Sequence, residues 1–335
     1  MGGGLIFGLL VAAIMGAPFV IEGSGDAEAD SPDSGDTDLG FLGDDEESSG
    51  FELDGDGILA GTEGDDTLTR DDLDTSLAED VEAGAGDDLI DLSAAEGETG
   101  LGVVSSIRFD LGDGDDTLTG PIAGTTVSGG AGNDVIDLEE VSGDLSSING
   151  GAGNDTIDLN MTTNVDVDGG EGDDLISGIG RAFGGTGHVI DVNGGDGNDT
   201  LSVQAVTDFD EPGALNDNLE VNGGTGTDHF VVALDEGALD ADDPTVGDAW
   251  DDLETADGTA WRVEAAAFED FDPATETLEL QVESVNDDYT LGSMRIEEEG
   301  VIVRYESTGE QLDREILIRM NTEGMTMDQV TVVEV

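Results

Sequence analysis

Eight aspartates recur at the same place in a glycine-rich phrase: Asp66, Asp88, Asp116, Asp134, Asp155, Asp174, Asp199 and Asp228, separated by 22, 28, 18, 21, 19, 25 and 29 residues. The cleanest copies read GGAGNDVIDL from Gly129, GGAGNDTIDL from Gly150, GGEGDDLISG from Gly169 and GGDGNDTLSV from Gly194. Four looser ones are GTEGDDTLT from Gly61, AGAGDDLID from Ala83, LGDGDDTLT from Leu111 and GGTGTDHFV from Gly223. A carboxylate set among glycines suits a hard divalent cation, which takes about six to eight oxygens at about 2.3–2.6 Å from carboxylates and backbone carbonyls alike. Glycine lacks a Cβ and so allows the left-handed, tightly curved backbone that aims several carbonyls at one point. Asn and Asp at the fifth position tolerate the same backbone.

The flanking residues say what must hold these turns. After each aspartate comes an alternating apolar pair, as in Ile136/Leu138, Ile157/Leu159, Leu201/Val203 and Phe230/Val232. A second alternation precedes each turn: Thr125/Val127, Ser146/Ile148, Val165/Val167, Ile190/Val192 and Leu219/Val221. Period-two alternation puts each pair on one face of a strand. Every repeat is therefore strand, glycine turn, strand. One such coil cannot bury its apolar face alone, whereas stacked coils bury a continuous column. The expected fold is all-β, a parallel β-solenoid, with successive turns brought to strand spacing of roughly 4.8 Å along one edge.

The consensus G-G-x-G-x-D-x-U-x, with U apolar, resembles the repeats of the RTX (repeats-in-toxin, hemolysin-type) family of secreted calcium-binding proteins. In that family, positions 1 and 3 and the Asp of one turn join positions 2 and 4 and the Asp of the turn stacked on it around each Ca²⁺. Carried over, the resemblance implies a site from Gly129, Ala131 and Asp134 with Gly151, Gly153 and Asp155, and another from Gly150, Ala152 and Asp155 with Gly170, Gly172 and Asp174. The remaining implied ligands are Gly169, Glu171, Gly194, Gly195, Asp196, Gly197, Asp199, Gly224, Gly226 and Asp228 on one side. On the other they are Gly61, Glu63, Asp66, Gly84, Gly86, Asp88, Gly112, Gly114 and Asp116. Eight turns give at most seven sites. Family β-rolls carry the nonapeptide on both edges, but here the opposite turn is irregular, as in LEEVSGDLSS from Leu138 and SVQAVTDFDEPGALNDN from Ser202. Calcium is expected along one edge only. The copies at Ala83 and Leu111 lack the first Gly, and Thr62 replaces the second Gly of the first copy. The likeness covers roughly residues 51–235.

Charge fits the same chemistry. The 335 residues carry 82 acidic against 8 basic side chains, all arginine, for a net charge of −74. Such self-repulsion makes compaction depend on bound cations. Extracellular calcium modules bind at about 10⁻⁴–10⁻³ M, so these sites fill outside cells and stay empty in a cytosol. At ten times Kd, each independent site adds about 1.4 kcal/mol of stability. Nucleic acid is excluded as a partner, since nothing here neutralises phosphates, and an anionic membrane surface is repelled. The absence of cysteine rules out disulfides and thiolate metal sites.

Outside the repeats, residues 5–21 are apolar and uncharged and read as either a signal peptide or an uncleaved membrane anchor. Residues 22–50 are an acidic linker of disordered composition. The solenoid spans 51–235, and 236–335 forms a C-terminal domain. Within that domain TLELQV from Thr277, YTLGSMRI from Tyr289, GVIVRY from Gly300, EILIRM from Glu315 and VTVVEV from Val330 read as five strands of an antiparallel β cap. Solenoids need their open end covered. FEDFDPATETLEL from Phe268 is similar to the D-F-x-x-G-x-D-x-I-x-L stretch that follows the repeats in serralysin-type proteases, although Pro273 and Ala274 do not preserve its Gly. Glu52, Asp54, Asp56, Gly57, Leu59 and Glu63 match EF-hand loop positions, a cheap match in an Asp/Gly-rich chain with no flanking helical pattern.

No catalytic motif assembles: there is no H-E-x-x-H, G-x-S-x-G or P-loop, and the two histidines, His188 and His229, read as strand residues. The expectation is a secreted or surface-tethered, non-catalytic calcium-binding protein with a structural or binding role, whose partner is an extracellular polysaccharide or another surface. Two other readings stay open. One is a polysaccharide epimerase or lyase on a parallel β-helix, which the lack of lysine disfavours because uronate carboxylates need cationic grips. The other is an adhesin or ice-binding face built on outward threonines such as Thr67, Thr69, Thr117 and Thr119.

Overall fold

The computed structural model describes residues 50–73, 78–93, 103–141, 146–162, 165–180, 190–205, 219–234, 260–282, 289–309 and 313–334. The apolar run 5–21, nearly all of the acidic linker 22–50, His188 and most of the irregular opposite turns lie outside the described residues. Among the described residues no helix is long and apolar enough to cross a membrane.

The alternating pairs form two long sheets. The first stacks Ile58–Ala60, Asp80–Ala85, Arg108–Asp113, Thr126–Ala131, Ser146–Ala152, Val165–Glu171, Ile190–Gly197, Leu219–Gly226, Ala260–Phe268 and Asp313–Arg319 in parallel order. The second stacks Thr67–Thr69, Leu89–Asp91, Thr117–Thr119, Val135–Val141, Thr156–Thr162, Leu175–Gly180, Thr200–Ala205, His229–Leu234, Thr277–Val282 and Val330–Glu334. Each glycine turn carries the chain from a strand of the first sheet to one of the second. The turns therefore lie in one file along the edge where the two sheets meet.

Between the sheets runs a column with almost no exposed area: Val81, Phe109, Val127, Ile148, Val167, Val192 and Val221 from one side, and Ile90, Leu118, Ile136, Ile157, Ile176, Leu201 and Phe230 from the other. Burying each such side chain contributes about 1.5–3 kcal/mol. No single coil holds more than a few of them, so each coil is stable only on its neighbours.

The expected antiparallel cap is present in part. Thr277–Val282 and Val330–Glu334 extend the second sheet in parallel, and Asp313–Arg319 pairs in parallel with Ala260–Phe268. Only Tyr289–Glu297, Gly300–Ser307 and Asp313–Arg319 form an antiparallel meander, on the edge of the first sheet. Period-two alternation identifies a strand but not the direction of its partner, so the local pattern of these five strands does not distinguish parallel from antiparallel pairing. The stacking therefore continues past residue 235. Phe230 meets Phe268 and Phe271 edge-on, with ring centroids 4.8 and 5.6 Å apart, which carries the core across from the last repeat to the next coil.

The meander is pinned by ions. Glu315, 1 % exposed, receives Arg262 Nη2 at 2.8 Å, Arg295 Nη2 at 2.8 Å and Arg304 Nη1 at 3.0 Å, one arginine from each of three neighbouring strands. At the other end, Glu52–Leu53 pairs antiparallel with Leu59–Ala60, and Asp54 Oδ1 accepts the amides of Asp56 and Ile58. The EF-hand-like spacing thus falls on a hairpin whose loop is closed by its own side chain.

Candidate metal centre

The motif aspartates form a continuous ladder. The amide of Asp66 donates to Asp88 Oδ1 at 2.7 Å, Asp88 to Asp116 at 2.8 Å, Asp116 to Asp134 at 2.9 Å and Asp134 to Asp155 at 2.8 Å. The series continues through Asp155 to Asp174 and Asp174 to Asp199, both at 2.8 Å, and Asp199 to Asp228 at 2.9 Å. All eight side chains are buried, and Oδ2 of Asp88, Asp116, Asp134, Asp155, Asp174, Asp199 and Asp228 has no hydrogen-bond partner. A buried carboxylate oxygen with nothing to receive is costly unless a cation neutralises it. Asp66 differs: its Oδ2 accepts the backbone amide of Thr62 at 2.5 Å.

Glycine is needed because backbone oxygens crowd these turns. Gly130 and Gly132 have φ of 112° and 146°. A β-carbon on Gly130 would stand 2.0 Å from Gly112 O, and one on Gly132 would stand 1.8 Å from Gly114 O. The β-carbon that Gly129 lacks would lie 2.2 Å from Gly150 O and 2.5 Å from Asp134 Oδ2. The same point beside Gly150 lies 2.4 Å from Asp155 Oδ2 and 2.5 Å from Gly169 O. Beside Gly169 it is 2.4 Å from Asp174 Oδ2 and from Gly194 O, and beside Gly194 it is 2.5 Å from Asp199 Oδ2 and from Gly223 O. Four successive interfaces thus bring a carboxylate oxygen of one turn and a carbonyl oxygen of the next to the same side of a glycine that carries no side chain, the oxygen donors that calcium takes. The residues present fit that ion.

These contacts reverse the polarity taken from the resemblance. Across each gap the earlier turn contributes the carbonyls of positions 2 and 4, as Gly130 and Gly132 face Gly151 and Gly153, and the later turn contributes positions 1 and 3. The position 3 carbonyl is engaged: Ala152 O accepts from Gly132 N at 2.8 Å, and Glu171 O from Gly153 N at 2.7 Å. Gly130 and Gly132, absent from the sequence-derived set, belong to the gap before Gly150. Gly129 and Ala131 face back toward the Leu111 turn. Gly61 and Glu63, by the same polarity, face away from the next repeat, while Gly84, Gly86, Gly112 and Gly114 face forward. A single repeat cannot encode which side its carbonyls take, because the alternation is fixed only when parallel strands pair.

The register aligns Ala83 and Leu111 with Gly129. Their β-carbons take the place that Gly129 leaves open, and both side chains are fully buried. The Asp88 and Asp116 carboxylates consequently lie beside apolar atoms. Burial, reinforced by the neighbouring aspartates, pushes the Asp116 and Asp174 carboxyls up to about 7 and those of Asp134 and Asp199 up to about 6, against the pull of one backbone amide each. Burial also raises Asp88, Asp155 and Asp228.

A second ladder, of the fifth motif position, runs on the outside with opposite polarity: Asn133 N donates to Asp115 Oδ1 at 2.7 Å, Asn154 N to Asn133 Oδ1 at 2.9 Å and Asp173 N to Asn154 Oδ1 at 2.8 Å. The sequence reading gave this position only a tolerance for curved backbone. Among the described residues no three carboxylate or imidazole side chains close on one point, so a cation on this edge is held largely by main-chain oxygens. His229 lies in the strand after its turn and bonds Thr277 Oγ1 at 2.7 Å.

No curated protein matches the chain. The family model described as RTX calcium-binding nonapeptide repeat (4 copies) matches residues 125–140, 146–161 and 191–208, which include the turns at Gly129, Gly150 and Gly194. With the file of buried aspartates and glycine carbonyls, the match identifies the segment 125–208 as calcium-binding repeats of the RTX family.

Proposed function

We propose that this chain is an extracytoplasmic, non-catalytic calcium-binding protein whose coils lock together as Ca²⁺ fills the edge of glycine turns, giving a stiff acidic rod for a structural or surface-binding role. The single observation that carries the reading is the file of seven buried Asp Oδ2 atoms without partners. Cations are assigned first to the interfaces 129/150, 150/169, 169/194 and 194/223, where glycine leaves the first position open. Circular dichroism and calorimetry during a calcium titration test it. A chain equally folded in EGTA at low salt would count against it.

Two observations weigh against the alternatives. Arg108 is held by Asp80 at 3.1 Å and Glu82 at 3.6 Å, and three further arginines converge on Glu315, so four of the chain's eight cations are engaged within the fold rather than offered to a uronate. An adhesive or ice-binding file of threonines is interrupted by the register, which alternates Thr67, Leu89, Thr117 and Val135. Incubation with uronate polymers, followed for unsaturated product or a changed epimer ratio, tests the enzyme reading directly.

A further inference from the structure

The first sheet ends on a strand whose outer side is open. Tyr289–Glu297 is the last of its strands and pairs inward with Gly300–Ser307, and among the described residues no strand lies on its other side. The turn Glu298–Glu299 makes Glu297 and Gly300 the closing pair of the hairpin. Bonded and non-bonded pairs alternate along an antiparallel ladder, so Glu297, Arg295 and Ser293 bond inward while the main-chain groups of Met294 and Ile296 point to the open side. An edge of this kind is a template for another strand. It carries neither lysine nor proline to blunt it, and its one bulge, at Gly292, leaves Ser293–Glu297 regular.

The apolar side of this strand is unfinished as well. Val330–Glu334, the last strand of the second sheet, belongs to the same coil as Asp313–Arg319, so Gly300–Ser307 and Tyr289–Glu297 extend the first sheet past the end of the second. The bulge brings Leu291 onto the same face as Met294 and Ile296. These three pack against the core yet stay only half-buried, whereas Val301 and Val303, one strand further in, are fully buried. A strand added at the open edge would cover them.

Charge selects that strand. Tyr289–Glu297 holds Arg295 and Glu297 and no other charged residue, and four of the chain's eight arginines, Arg295, Arg304, Arg314 and Arg319, fall within residues 289–319. Charges further apart than about 8 Å are largely screened at about 0.15 M salt, so this nearly balanced edge decides the contact and the distant acids of the rod do not. Two copies of the strand run antiparallel about Ile296 set Arg295 of each opposite Glu297 of the other, and bring Met294 of each diagonally beside Ile296 of the other. We propose that Tyr289–Glu297 is a self-association edge, through which two copies of this chain join their first sheets in a two-fold dimer.

Sedimentation equilibrium of the full-length chain in saturating calcium and about 0.15 M salt tests this with the wild type, Met294→Lys, Ile296→Pro and the control Glu323→Gln, folding being checked by circular dichroism. Proline removes an outward N–H that no neighbouring strand uses, and lysine puts a charge on the seam. Wild type and control should reach twice the mass of one chain, and each edge variant should raise the dissociation constant by more than roughly tenfold. A wild type that stays monomeric at every concentration overturns the proposal, and so does a folded edge variant that dimerises as tightly as wild type, because the contact then lies elsewhere. Hydrogen exchange needs no variant. In the dimer the amides of Met294 and Ile296 should exchange as slowly as the inward-bonded amides of Arg295 and Glu297, and exchange at the rate of an open edge overturns the pairing.

Discussion

The amide of Asp134 donates to Asp155 Oδ1 at 2.8 Å, one coil further along, while Oδ2 of both residues is buried and free of partners. One side chain thus has two duties, joining the coil before it through one oxygen and offering the other to the gap after it. The ladder bond uses one oxygen of the carboxylate, and the buried, unpartnered second oxygen is costly until a cation neutralises it.

Asp155 separates the two duties. Asn in its place still accepts the Asp134 amide but has no charge, so Asp155→Asn should fold in calcium with its midpoint raised about tenfold, equivalent to about 1.4 kcal/mol. Asp155→Ala also orphans the Asp134 amide, at about 1–3 kcal/mol, and should be the less stable of the two. Asp71 is exposed and lies outside the file, so Asp71→Ala should leave the titration unchanged. Equal midpoints for all three would remove Asp155 from the site.

Calcium-free stability should fall as pH rises. The folded-state carboxyls of Asp116 and Asp174 at about 7, and of Asp134 and Asp199 at about 6, lie above the ordinary value of 3.8. Between those limits the folded chain binds more protons than the unfolded one, so its stability is greatest below about pH 4 and is lost as pH climbs through 6 to 7. Calcium competes with those protons, and its affinity should increase over the same interval. Melts in EGTA and in calcium at pH 4.5 and 7.5 give opposite slopes if this holds. A calcium-free melting temperature that rises with pH contradicts it.

Much of this was legible in the residues. The pairs Ile136/Leu138 and Val165/Val167 placed the strands, and the recurrent aspartates placed the edge, because both depend on local period and spacing. What the sequence could not give depends on how strands pair. Gly130 and Gly132 face the following turn only because parallel pairing sends alternate carbonyls to alternate sides. Likewise Thr277 and Val330 extend the second sheet through partners 48 and 52 or more residues away, for which no local pattern exists.

Magnesium should not replace calcium. Mg²⁺ demands octahedral oxygens at about 2.0–2.1 Å and keeps several waters, whereas the carboxylate and carbonyl oxygens of each gap are fixed on neighbouring coils at strand spacing. Bringing those oxygens closer would compress the spacing set by the sheets. Magnesium at ten times the calcium midpoint should leave circular dichroism near its EGTA value, and full folding at that concentration would refute a size-matched site.

Glu315 tests the C-terminal meander independently of metal. Removing the carboxylate leaves Arg262, Arg295 and Arg304 without their shared buried anion, beside the more exposed Glu297, Glu299 and Asp313. Breaking a buried ion pair from one side costs about 3–5 kcal/mol, and the partial exposure of the arginines places Glu315→Ala near the lower end. Urea denaturation in saturating calcium should register this loss while the number of bound ions stays constant.

The first motif position gives the sharpest test, because one methyl group should both close and open a site. In Gly150→Ala the new β-carbon falls 2.4 Å from Asp155 Oδ2 and 2.5 Å from Gly169 O, closer than any real contact, and pushes apart the two oxygens that the cation would share. One ion should be lost per chain, with the neighbouring sites intact. In Ala83→Gly the opposite happens: the fully buried methyl at the position in register with Gly129 is removed, and the forward carbonyls of Gly84 and Gly86 are already in place. One ion should be gained. Added backbone freedom in a strand costs roughly 0.5–1 kcal/mol, less than one site supplies at ten times its Kd, so the gain should be visible in stoichiometry and as a higher melting temperature in calcium. If neither substitution changes the number of bound ions, the cations do not sit beside the first glycine.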